Sequence, residues 1–282
     1  MPERRNPLAI STDPALQRLL RRDAMVVIAA LAAVAALAWI YVVRLAAGMD
    51  MGGMTMAGMR MRSTGLRMVM APTLTPWTGA DLLLMFAMWA VMMVGMMTPS
   101  AAPMVLLYAR VQRSAVAAGE AFASTGWFAG GYLAAWVLFS LVATLAQWGL
   151  ERAALLTPGM AAASTGLGAL LLIVAGLYQW MPLKQTCLAH CQSPLAFLQL
   201  HGGLRRAAPK ALGLGLHHGF YCVGCCWALM ALLFVGGVMN LLWIAGLTIL
   251  VLLEKALPAG WLVARVAGVG LAAAGVWLLF AA

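Results

Sequence analysis

Apolar stretches long enough to cross a bilayer recur along this chain, and its charges are confined to the segments between them. The first stretch runs from Ala24 to Val43 and is closed by Arg44. A helix of roughly 20 apolar residues matches the hydrocarbon thickness of a membrane. The 282 residues are 64% hydrophobic and 9% charged, against roughly 45–50% apolar and 25% charged in soluble domains. So few charges cannot cover a water-soluble globule, and a disordered chain would be polar. The sequence therefore predicts an all-α, polytopic transmembrane helix bundle.

The pattern gives seven spans, or six if the last two are mis-cut: 24–43, about 77–97, 122–148, 159–181, 217–239, 241–253 and 261–282. The corresponding division is a cytoplasmic tail (1–23), a first transmembrane helix (24–43), a Met-rich outer loop (44–76) and a six-helix membrane domain (77–282). The long polar tail and the lack of a clear small-residue cleavage site point to an uncleaved first helix rather than a leader. Thr78 and Asp81 are spaced like a capping box at the start of the second helix. Pro99 and Pro103 in TPSAAPM predict a kink or break. Residues 182–213 read as the longest later loop and Asn240 as a tight turn. Tyr178, Trp180, Trp77 and Trp261 read as interfacial aromatics.

Eighteen Lys and Arg oppose eight Asp and Glu, a net charge of +10. No nucleic-acid reader motif accompanies this excess, so its natural partner is the lipid bilayer and its anionic face. With the N-terminus inside, cytoplasmic segments hold twelve basic residues and outer segments five. That asymmetry favours an N-inside orientation in a bacterial inner membrane.

Three clusters carry ligand chemistry. Met49, Met51, Met54, Met56, Met59 and Met61 fall in the segment MDMGGMTMAGMRM. Thioether sulfur is a soft neutral ligand that selects Cu(I); the competing reading is a membrane-skimming loop with Met as adaptable filler. On the second helix Met85, Met88, Met92 and Met96 share one face, with Met93 and Met97 beside it. Ordinary packing competes with a ligand role there too.

The strongest cluster is Cys187-Leu-Ala-His190-Cys191 followed by His217-His218-Gly-Phe-Tyr-Cys222-Val-Gly-Cys225-Cys226. A helical turn puts Cys187, His190 and Cys191 on one face. His218, Cys222, Cys225 and Cys226 fall at i, i+4, i+7 and i+8, and Met230 continues that face. All five cysteines and all four histidines lie within forty residues. Thiolate and imidazole at such spacings suit Cu(I), with zinc or an Fe–S centre as alternatives. Against metal binding stand buried Cys as small apolar filler and structural disulfides, which are rare on the cytoplasmic side. His201 in LQLHGGL reads as a loop residue. Glu254 beside Lys255 reads either as an interfacial anchor pair or as a functional intramembrane acid. Ser100 has no evident base, and no phosphate loop, dinucleotide fingerprint or catalytic triad is present, so binding is favoured over catalysis.

The segments MMVGMMTPSAAPM (92–104), PLKQTCLAHCQSPLAFL (182–198), GLHHGFYCVGCCWALMALLFVGGVMNLLW (215–243) and LLEKALPAG (252–260) resemble a bacterial family of unknown function described as predicted metal-binding integral membrane proteins. The resemblance covers most of the chain from about residue 77 and leaves out the tail and the Met-rich loop. It implies Cys187, Cys191, His218, Cys222, Cys225 and Cys226 as ligands, and Met92, Met93, Met96 and Met97 match the family's helix-two segment. Together these readings predict an inner-membrane protein handling Cu(I) in acquisition, transfer or assembly, with a periplasmic or membrane metalloprotein as partner. The alternatives are a thiol–disulfide oxidoreductase using Cys222 and Cys225, and a scaffolding subunit without metal.

Overall fold

The computed structural model describes residues 14–52, 77–117, 123–157, 159–201, 203 and 206–281, with side chains from residue 25 onward except 48–52 and 117. Ten helices make up the described chain: α1 (Pro14–Gly52), α2 (Gly79–Ala117), α3 (Thr125–Arg152), α4 (Thr165–Tyr178), α5 (Pro182–Gln192), α6 (Pro194–Leu200), α7 (Ala208–Ala231), α8 (Leu233–Gly236), α9 (Leu241–Ala256) and α10 (Gly260–Ala281). The all-α class is as the apolar patterning predicts. Five helical stretches are long and apolar enough to cross a membrane: Met25–Ala47, Gly79–Val116, Thr125–Arg152, Ala208–Gly236 and Gly260–Ala281. A sixth exists if α4 and α5, bent by 65° at their junction, count as one broken span. The count of seven is thus too high and the alternative of six is its upper bound. The excess comes from α9, whose 16 residues fall short of the roughly 17–25 that a spanning helix needs.

Two local expectations change. The TPSAAPM stretch does not break α2, which runs through Pro99 and Pro103 for 39 residues. Membrane helices tolerate proline where hydroxyl side chains and neighbouring helices supply donors. The two prolines leave the Gly95 and Pro99 carbonyls without their i→i−4 donors; in the same turns Thr98 Oγ1 donates to the Val94 carbonyl at 2.6 Å and Ser100 Oγ to the Met97 carbonyl at 2.9 Å. The predicted loop over 182–213 instead holds α5, α6 and the start of α7. Each of these helices has a proline in its first turn, where the missing N–H removes no helical bond. The sequence marks read as loop punctuation are helix starts.

Two other local expectations hold. Asp81 Oδ2 accepts from Thr78 N at 2.8 Å and Asp81 N donates to Thr78 Oγ1 at 3.3 Å, the reciprocal capping box. The turn read at Asn240 is closed by Asn240 N donating to the Gly237 carbonyl at 3.1 Å, with Gly237 at φ 92°; the Asn240 side chain also caps α9 by accepting from Trp243 N at 3.2 Å, which the sequence reading did not include.

α3 packs chiefly on α7, α4 on α10 and α1 on α2, with α5 laid against α7. Between apolar helices in lipid there is no hydrophobic driving force, so close backbone approach through small residues carries the packing. A Cβ on Gly215 would lie 1.9 Å from the Phe128 carbonyl oxygen, and one on Gly131 would lie 2.0 Å from that of Leu212. Gly176 and Gly268 do the same for α4 and α10: a Cβ on Gly176 would lie 2.7 Å from the Gly268 carbonyl oxygen. Gly215→Val must therefore push two backbones apart. Overpacking costs roughly 1–3 kcal/mol even where side chains can give way. We expect Gly215→Val to lower stability by at least about 3 kcal/mol, read as an earlier thermal transition in detergent. Gly246→Val, where nothing lies within 4 Å of the added Cβ, should leave the transition in place.

Candidate metal centre

The α3–α7 contact sets the depth and rotation of α7, and the rotation decides which face of its Cys/His motif turns inward. His218, Cys222, Cys225 and Cys226 are 3%, 2%, 0% and 0% exposed, so the face at i, i+4, i+7 and i+8 is the buried one. Met230 continues it and is also buried. Met92, Met93, Met96 and Met97 of α2 are buried in the same core as the three thiols. The core is therefore rich in polarizable sulfur, where leucine would have served ordinary packing equally well.

Helix α5 adds two thiols from the side. Cys191 is half-buried and packs against the core that holds Cys222, Cys225 and Cys226. Cys187 Sγ rests on Gly224, where a Cβ would come within 2.9 Å of it. Tyr178, read from the sequence as an interfacial aromatic, is buried instead and donates its hydroxyl to the Gly224 carbonyl. Cys187, Cys222, Cys225 and Cys226 lie in one buried core with Cys191 against it, and all five are free thiols.

Cys222 is the centre of the polar contacts. Lys255 Nζ donates to its sulfur at 2.8 Å and to Ser100 Oγ at 3.3 Å. The Tyr132 hydroxyl lies 3.0 Å from the same sulfur and donates to the Met97 carbonyl oxygen at 3.2 Å. An ammonium has only donors, so the Cys222 sulfur accepts. A buried cation beside it suits a thiolate, since a lone charge in a low-dielectric interior is expensive. The Cys225 and Cys226 thiols turn to the Cys222 carbonyl oxygen at 3.1 and 2.9 Å. His218 contributes an Nδ1 that is buried without a hydrogen-bond partner among the described residues, one turn before Cys222.

Among the described residues no three His, Cys, Asp or Glu side chains form a group able to hold a metal ion. The reason is visible in the last two thiols, which face a backbone oxygen rather than a common point. The geometry is not that of a four-ligand cage.

The remaining sequence candidates divide. His190 lies outside the sulfur core, half-buried and stacked on Tyr221 with ring centroids 4.3 Å apart. His217 is exposed on α7. Met49 and Met51 fall on α1, whose side chains there are outside the described residues, as are Met54, Met56, Met59 and Met61 altogether.

Sequence reasoning assigned no site role to Lys255, Lys184, Gln179, Tyr132 or Ser100. Lys255 is 9% exposed and faces the thiol core. Its neighbour Glu254 is 1% exposed and pairs with Lys184 at 2.7 Å, so it is no interfacial anchor. Gln179 Nε2 donates to the other Glu254 oxygen at 3.1 Å. Tyr132 and Ser100 have no motif around them. The one available signal was an acid and a base closing a long apolar run, which in a membrane segment indicates function by default.

Fold and centre together define a multi-pass helical membrane protein with a buried soft-ligand core. The chain belongs to the PpoB2 family, described as copper chaperones, whose model matches residues 86–278. That range contains every residue of the sulfur core described above and leaves out the Met-rich segment 49–61. No curated protein and no solved structure matches the chain.

Proposed function

We propose that this membrane protein accepts Cu(I) as cargo at the Cys222 end of the sulfur core and passes it to a client metalloprotein. One observation carries the reading: a buried Cys222 sulfur held between Lys255 Nζ at 2.8 Å and the Tyr132 hydroxyl at 3.0 Å, with other thiols beside it. Cu(I) is a soft ion served by thiolate and thioether ligands. It is satisfied by two sulfurs, and we assign these to Cys222 and one of the thiols that share its core. Structural zinc and Fe–S centres ask for four ligands around one point, which these side chains do not offer. Within the core, Cys191, Cys225 and Cys226 are the partner thiols, and Met92, Met93, Met96 and Met97 are the thioethers along the approach. The unpartnered His218 Nδ1 supplies a nitrogen donor at the edge.

The charge asymmetry supports an N-inside orientation in a bacterial inner membrane. In that sense the Met-rich segment 49–61 faces outward, and α2 leads inward from thioether to thiolate.

Full-length protein purified under reducing conditions should retain copper, and Cys222→Ser/Cys225→Ser/Cys226→Ser should lose it. Wild-type copper content in that variant, quantified on protein of unchanged elution profile, would eliminate the proposed site. A disulfide that cycles in cells, trapped by mass shift, would point to thiol–disulfide exchange in its place.

A further inference from the structure

Arg265 is a charge inside a spanning helix with no carboxylate partner among the described residues. It lies on α10, within the membrane-crossing stretch Gly260–Ala281, and is exposed. The carboxylates with described side chains are bonded elsewhere: Asp81 to Thr78, Glu151 to Trp77 and Gln147, and Glu254 to Lys184 and Gln179. The Arg265 guanidinium lies instead over the rings of Trp180 and Trp261, 5.4 and 5.1 Å from their centroids. Stacking of this kind uses the face of a guanidinium and leaves the N–H donors along its edge. A cation within a spanning segment is costly and marks function by default.

The surroundings of the charge decide its partner. On the same face of α10 come Val269, Ala273 and Val276, at i+4, i+8 and i+11 from Arg265. With Leu177 and Trp180 of α4 they line an apolar groove of about 640 Å³, inside the roughly 300–1,000 Å³ of single-ligand sites. Trp180 and Trp261 are 51% and 46% exposed, and amphipathic indole rings lie at the headgroup level of a bilayer. Both rings hold Arg265 at that level. From Arg265 to Val276 the helix rises about 16 Å, close to half of the roughly 30 Å hydrocarbon core. The groove thus descends from a cation among the headgroups through the depth of one leaflet, and only its last turn, at Phe280, extends further. A second copy of the chain laid on this face would bring Arg265 no unbonded carboxylate from the described residues.

We infer that Arg265, Trp180 and Trp261 form a binding site for an anionic phospholipid, with its phosphate on the guanidinium and one acyl chain along the α4–α10 groove. Guanidinium binds phosphate through paired N–H···O bonds, and basic sites between spanning helices take anionic headgroups. A choline headgroup carries its own cation beside the phosphate, which Arg265 repels. Trp180 lies in the 65° bend between α4 and α5, so the lipid adjoins the segment that leads to the thiol helix. The site uses neither thiol nor copper, and it stands or falls apart from the function proposed above.

The test titrates full-length protein in detergent with palmitoyl-oleoyl phosphatidylglycerol or with the phosphatidylcholine of the same chains. Native mass spectrometry should show a single phosphatidylglycerol bound at least about tenfold tighter than phosphatidylcholine, the equivalent of one hydrogen bond to a charged group. Arg265→Gln should erase that preference and Arg265→Lys should keep part of it. Ala273→Trp fills the groove beside an intact Arg265 and should weaken phosphatidylglycerol binding as well. Arg265 and Ala273 are both exposed, so these substitutions leave the buried core in place. Glycerol phosphate, which has the charge without the chains, should fail to compete at equal concentration; effective competition would assign the site to a free phosphate and overturn the lipid. Equal affinity for the two lipids in the wild-type protein, or an unchanged preference in Arg265→Gln, would also overturn it. So would a cross-link between two copies through Val276→Cys in membranes, which would give the groove to a dimer.

Discussion

Lys255→Met should weaken Cu(I) binding by roughly tenfold to hundredfold, the equivalent of the 1.5–3 kcal/mol of a hydrogen bond to a charged group. Cu(I) held by two thiolates carries one net negative charge. In the interior of a bundle that charge needs a partner, since burying an unpaired ion costs several kcal/mol. Lys255 Nζ, 2.8 Å from Cys222 Sγ and buried with it, is that partner. With a single thiolate the site would be neutral once loaded, and the ammonium would only repel the metal. The sign of the change therefore reports the ligand count: weaker binding for two thiolates, tighter for one. Lys255→Arg keeps the charge and should recover part of the affinity, because a planar guanidinium does not fit the place of a compact ammonium. Competition against a Cu(I) chelator under anaerobic, reducing conditions measures all three. Wild-type affinity in Lys255→Met would remove the counter-ion role.

How far the sequence leads depends on the range of each interaction. The face of α7 that turns inward follows from spacing alone, because i, i+4, i+7 and i+8 place His218, Cys222, Cys225 and Cys226 on one side of any α-helix. The same local logic identifies the Thr78–Asp81 box and the turn at Asn240. What spacing does not carry is which distant residue completes the site. Lys255 reaches Cys222 across 33 positions and Lys184 reaches Glu254 across 70. Neither pair leaves a periodic trace. His201, set aside as a loop residue, meets His217 only because Pro194 starts the short helix α6 and that helix ends against α7. The span count went astray for a related reason. Hydropathy registers an apolar run but not its end, and the 16 residues of α9 are apolar yet end in a buried Glu-Lys pair that is tied to other helices. The Met-rich segment is the opposite case: conspicuous in sequence, with Met54 to Met61 outside the described residues.

The buried Lys184–Glu254 ion pair gives the largest effect expected on the fold. Glu254→Leu should destabilise the protein by about 3–5 kcal/mol, the loss seen when one partner of a buried ion pair is removed and the other charge stays behind. Lys184 is 0% exposed and Glu254 is 1% exposed, so neither can turn to water. Gln179 Nε2 would lose its acceptor at the same time. The consequence reaches the metal centre through geometry. Lys184 begins the helix that carries Cys187 and Cys191, while Glu254 precedes the residue that holds Cys222. Gln192, at the other end of α5, donates to the Glu254 backbone carbonyl at 2.6 Å, so α9 grips α5 at both ends. Cutting the charged grip should loosen α5 from α7 and expose Cys191 to maleimide faster than in the wild-type protein. Lys184→Met/Glu254→Leu removes both charges and should recover most of the stability, because apolar replacement of a buried pair is often neutral. The unsatisfied Gln179 amide would keep it short of full recovery. Equal Cys191 labelling in all three proteins would mean that the ion pair stabilises the bundle without positioning the thiol helix. A double variant as unstable as Glu254→Leu alone would mean that the stranded lysine is not the source of the loss.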